Sequence, residues 1–136
     1  GGTFDGAYGV VSKKTSSGET GSIVFPADST AVINASKIAF VAQGDAASAG
    51  KVSAAGGTFN APAVLGTIGT GVDKTSAANV TGGIYAADPS AYVPDNNASI
   101  SYTHENSTVY AVGKSSIDEV AQHYCAVRRC CSGHRR

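Results

Sequence analysis

An ordered echo inside this chain constrains its fold more than any other feature. GGTF stands at residues 1–4 and again at 56–59. Lys14-Thr15-Ser16 returns as Lys74-Thr75-Ser76, Thr20-Gly21 as Thr81-Gly82, and Asn34-Ala35-Ser36 as Asn97-Ala98-Ser99. Between and after them Ile23 answers Ile84, Asp28 answers Asp88, Phe40 answers Tyr102, and Gly50-Lys51 answers Gly113-Lys114. The order is kept while the offset grows from 55 to 63, as small loop insertions would make it grow. The echo points to a duplication: one β domain over 1–114 built from similar halves, 1–55 and 56–114, with 115–136 as a separate C-terminal helix and tail. Two copies with a period near 60 exclude a solenoid.

Each half reads as short strands. Candidates are 7–12, 22–25, 30–33 and 37–42 in the first, and 62–68, 83–86, 90–93, 98–103 and 108–112 in the second. These runs are rich in Val, Ile, Tyr, Phe and Thr and are bounded by Gly, Pro, Asp and Asn. With only 15 % charged residues, 17 Gly and no Met, the chain is poor in long helix-favouring side chains. The expectation is an all-β fold, a β-sandwich or jelly roll of about 8–10 short strands. One half has too few large apolar residues for a core, so the halves are expected to pack face to face.

The last twelve residues, CAVRRCCSGHRR, hold all three cysteines and all four arginines. Residues 1–124 carry six Lys against ten acids, a net −4, which the tail offsets with +4. Ser116-Ile117-Asp118-Glu119 reads as a capping box. Ile117, Val120, Ala121, Tyr124 and Val127 fall on one helical stripe, so a short helix is expected over about 117–130. Cys125, Cys130, Cys131 and His134 are the candidate metal ligands. Their spacing is not that of a zinc knuckle, since adjacent Cys130 and Cys131 diverge on a helix. Three thiols cannot all pair within one chain, so Cys130 or Cys131 could form an intermolecular disulfide in an oxidising compartment; unpaired thiols are the plainer reading. The basic end has no interleaved aromatics, which argues against nucleic acid. A tail foreign to the fold also accounts for the confinement of both residue types.

Elsewhere chemistry is sparse. GTIGTGVDKT (66–75) resembles a phosphate loop, but Val72 and Asp73 intervene before the lysine and Asp73 would repel phosphate. His104 is the only histidine before residue 115. It would matter for hydrolysis only if it lay in a cleft beside an acid and a hydroxyl. No pair among the scattered carboxylates stands out for glycoside chemistry. Neither a catalytic residue nor a cofactor is assigned, and no enzyme is expected. Four Asn-x-Ser/Thr sequons, at Asn34, Asn79, Asn97 and Asn106, are glycosylation candidates if the protein is secreted. No apolar run approaches the roughly 18 residues of a membrane span. A start at Gly1 fits either initiator-Met removal or a cleaved leader.

In its Ala/Gly/Thr-rich composition, its lack of Met and Trp and its duplicated strand set, the chain resembles the small decoration (cement) proteins that cover tailed-phage capsids. That resemblance implies a jelly-roll or related β-fold on the virion surface. It also implies partners in the capsid shell protein and in further copies of the chain, and a role in stabilising the shell. The alternative is an extracellular β-module, a filament subunit or an adhesin. In both readings the protein is non-catalytic and homo-oligomeric, and works through strand edges and loops.

Overall fold

The computed structural model describes residues 2–14 and 19–114. Ten strands carry the chain: β1 (Thr3–Lys13), β2 (Ser22–Phe25), β3 (Val32–Gln43), β4 (Lys51–Ala54), β5 (Thr58–Asn60), β6 (Leu65–Ile68), β7 (Ala78–Val80), β8 (Gly83–Tyr85), β9 (Asn97–His104) and β10 (Ser107–Lys114). A single-turn helix, α1 (Lys74–Ala77), and a 3-10 turn over Ser90–Tyr92 complete them. The fold is all-β, as the composition requires.

Its topology is not that of the expected sandwich or jelly roll, whose neighbouring strands run antiparallel. Six of the eight strand pairings are parallel. Thr3 pairs with Val32, Val32 with Thr58 and Thr58 with Ile84, in steps of 29, 26 and 26 residues. A second sheet, β2–β4–β7, climbs at the same pace, with Ser22 on Lys51 and Val52 on Ala78. Between these ladders the chain crosses from one sheet to the other and returns one strand further along. That is a stack of coils, a short parallel β-solenoid, and it overturns the exclusion drawn from a 60-residue period. The unit is one coil of 26–29 residues, and neighbouring coils supply the core that a single coil lacks.

Each coil has a third side. β3 pairs with β5 along Val32–Asn34 and with β6 along Phe40–Gln43, so its two halves take different neighbours. Against β1 the register slips between Gly6 and Tyr8, at the junction of those halves. In the next coil the same path is broken outright into β5 and β6. The far end closes differently: β10 runs antiparallel to both β8 and β9. Glu105 and Asn106, both at positive φ (50° and 68°), make the tight turn between β9 and β10, the geometry that matches the twist of paired strands.

In-register stacking decides which residues meet. Phe4, Ile33, Phe59 and Tyr85 share one ladder position, and Val10, Phe40 and Leu65 another. Phe59 is the hub of the core. Its ring packs edge-on against Phe25 and Phe40, with centroids 5.0 and 4.9 Å away, and stacks on Tyr85 at 5.0 Å. The rest of the interior is largely alanine and valine, small enough to fit inside a narrow coil.

Glycine pairs turn the corner before β5 and β8. A Cβ on Gly56 would meet the Pro26 carbonyl at 2.5 Å, and one on Gly82 would collide with the Ala55 carbonyl. The second glycine of each pair, Gly57 or Gly83, adopts φ +101° or +94°, which costs glycine least. GGTF at 56–59 and GGIY at 82–85 are therefore the same corner one coil apart. The copy at 1–4 lies two coils before 56–59. Later echoes do not superpose: Ile23 lies in the three-stranded sheet and Ile84 in the larger one.

Two local expectations also change. Residues 90–93 form no strand, because the Asp88 carboxylate accepts from both the backbone N–H and the hydroxyl of Ser90 and starts the 3-10 turn. GTIGTGVDKT is a strand followed by a glycine turn, and Asp73 caps α1 by accepting from the Thr75 N–H at 3.0 Å.

Phe59→Ala should cost about 3–5 kcal/mol, the scale of a large aromatic removed from a core; urea unfolding followed by circular dichroism measures it. Burial pushes the Tyr85 phenol well above its ordinary pKa, and its hydroxyl donates to the Gly82 carbonyl at 2.9 Å. Above pH of about 10 the unfolded tyrosine ionises while the buried one stays neutral. Stability that is complete below that pH is therefore lost as pH rises further. Tyr85→Phe should cost about 0.5–1.5 kcal/mol at neutral pH and lose less than the parent on going alkaline, read from thermal midpoints across that range.

Candidate functional site

Two surface features combine several coils. The first is a polar ladder on the outside of the larger sheet, one residue beyond the inward Phe4–Ile33–Phe59 stack. Alternation along a strand sends that next residue outward. The Asn60 Nδ2 donates to the Asn34 Oδ1 and the Asn34 Nδ2 donates to the Asp5 Oδ1, each at 2.8 Å. Such side-chain ladders run along a stack only when identical positions align. Asp5, which has no N–H to pass on, ends the series as an acceptor.

The second feature is an open groove of about 1120 Å³ along the glycine corners. Gly56, Gly57, Gly82 and Gly83 contribute backbone, with Thr58 and Asn96 among the side chains that line it. Among the described residues Lys114 is its one charged lining residue, and neither an acid nor a histidine lines it. The described residues of the groove therefore present amide groups and hydroxyls.

The four sequons, alike in sequence, sit in unlike places. Asn34 is held in the ladder, and the Asn97 Nδ2 donates to the Thr81 carbonyl at 3.1 Å. Asn79 is exposed on β7, and Asn106 is exposed at the tip of the β9–β10 turn. His104 ends β9, in register with Ser107 across that turn. Among the described residues no group of three or more His, Cys, Asp or Glu is placed to hold a metal. The expected helix over 117–130, the thiols Cys125, Cys130 and Cys131, and His134 lie outside the described residues.

Charge contacts are local. The Lys14 Nζ donates to the Asp45 Oδ2 at 2.7 Å, joining the end of β1 to the turn after β3. That bond, with the Ser48 and Ala47 N–H groups, holds the Asp45 carboxyl below its ordinary pKa. The Thr75 hydroxyl and N–H do the same for Asp73. Both carboxylates organise turns. No helix among the described residues is long and apolar enough to cross a membrane.

Comparison with known protein families, with curated proteins and with solved structures finds no match.

The ladder was missed in the sequence because its members lie 29 and 26 residues apart, and only the coil period reveals their alignment. Asn34→Asp would set a second carboxylate against Asp5 and should cost about 0.5–3 kcal/mol at pH 7, more than Asn34→Ala. Like charges raise the pKa of the introduced group, so the deficit grows as pH climbs above about 4 and fades below it. Thermal melts of both variants across that interval decide the point.

Proposed function

We propose that this chain is a non-catalytic structural module of a secreted or cell-surface protein, a rigid stack of coils that works by association through its outer faces. The parallel stacking of coils along one axis carries this reading. Coils divide the work: inward positions such as Phe59 and Tyr85 hold the stack, while exposed outward positions such as Asn79 are released from packing and can vary with the partner. The groove adds a continuous contact surface with amide and hydroxyl chemistry. The capsid-decoration reading drew its support from composition and from an anticipated jelly roll. The coil architecture removes the second of these supports, so the extracellular alternative is favoured over the virion.

Antibodies raised against the exposed Glu105–Thr108 turn should label intact cells of the producing organism, and external protease should remove the signal. Recovery of the protein in purified icosahedral particles, or only after cell lysis, would overturn the reading in favour of the virion or an internal role.

A further inference from the structure

The two ends of the coil stack differ. At one end the β9–β10 hairpin lies over β8 and extends the larger sheet. At the other, β1 is the terminal strand, eleven residues long; apart from its last residue, whose carbonyl accepts from the Gly21 N–H at 2.8 Å, nothing among the described residues pairs with its outer edge. The core stack is open there: Phe4 is 55 % exposed, while Ile33, Phe59 and Tyr85 at the same ladder position are each 1 % exposed. Tyr8, Val11 and Val24 are also exposed, so among the described residues four of the five large exposed apolar side chains belong to β1 and β2. A long apolar edge with unpaired backbone groups is the surface a β-protein uses to add another strand.

We propose that a second copy of this chain covers this end, β1 against β1 in antiparallel orientation, giving a closed twofold dimer. Charge selects the orientation. Asp5 lies near one end of β1 and Lys13 at the other. Antiparallel pairing brings Asp5 toward the partner's Lys13, whereas parallel in-register pairing would oppose like charges on neighbouring strands. β1 and β2 together offer at most 15 residues, about half of the roughly 20–30 a side that a standard interface uses, so the adjoining turns must supply the rest. A twofold contact uses the same patch on both copies and stops at two. The dimer is independent of where the protein resides, so it stands or falls apart from the surface reading above.

Sedimentation velocity over a wide concentration range, with reductant present to keep Cys125, Cys130 and Cys131 from cross-linking, tests this. The parent should sediment as a reversible dimer. Val11→Lys and Tyr8→Lys should weaken dimerisation by about 30-fold or more, the scale of truncating an anchor side chain at the centre of an interface, with the circular dichroism spectrum unchanged and the thermal midpoint less dependent on protein concentration than the parent's. Thr108→Lys, on β10 at the opposite end, should leave the dimer intact. A parent that stays monomeric, a dimer indifferent to both β1 variants, or an open series of larger assemblies would each overturn the proposal.

Discussion

In-register packing between coils is the interaction on which the rest of this molecule depends. Phe59 sits one step above Ile33 and one below Tyr85, and its ring bridges to Phe25 and Phe40 from the other sides of the coil. Three of the chain's four phenylalanines thereby meet in one cluster. A coil of 26–29 residues cannot enclose a core by itself. It becomes stable by lying on a neighbour whose apolar residues repeat at the same position. Parallel ladders supply that alignment, and the glycine corners permit the close approach it needs, since Gly56 and Gly82 rest directly on carbonyls of the preceding coil.

The same alignment governs the outside. Repetition that stacks Phe59 on Ile33 also places Asn60 beside Asn34 and Asn34 beside Asp5, so a polar ladder accompanies the apolar one. It also produces two unlike ends. An interior coil is covered on both sides, but the first coil leaves Phe4 exposed at the position where Ile33 is buried. The apolar end is thus a consequence of coil stacking, and the proposed dimer is the covering that fits its charge.

Much of this was legible in the residues, but at the wrong period. The GGTF echo is real and marks equivalent corners two coils apart. The intervening corner reads Thr30-Ala31-Val32-Ile33, which shares no glycine with its neighbours, so the unit looked twice its true length. Strands β4 and β7, KVSA and ANV, escaped notice because they are short and rich in small residues; they are strands because they have neighbours on both sheet and core. Residues 90–93 had strand-forming composition, but two local hydrogen bonds from Ser90 to Asp88 prevailed over propensity. The sequons show the same limit. Asn34 and Asn106 obey one sequence rule, yet the first is tied into a ladder and the second stands at an exposed turn, a difference that only long-range pairing creates.

The central claim is that strands one coil apart run parallel and in register, and nuclear Overhauser contacts across the backbone test it most directly. The account predicts interstrand contacts of parallel type linking Ile33 to Phe59 and Phe59 to Tyr85, with matching ones from Val52 to Ala78. Contacts of antiparallel type between strands adjacent in sequence, such as β2 with β3 or β4 with β5, would contradict it and restore a sandwich or jelly roll.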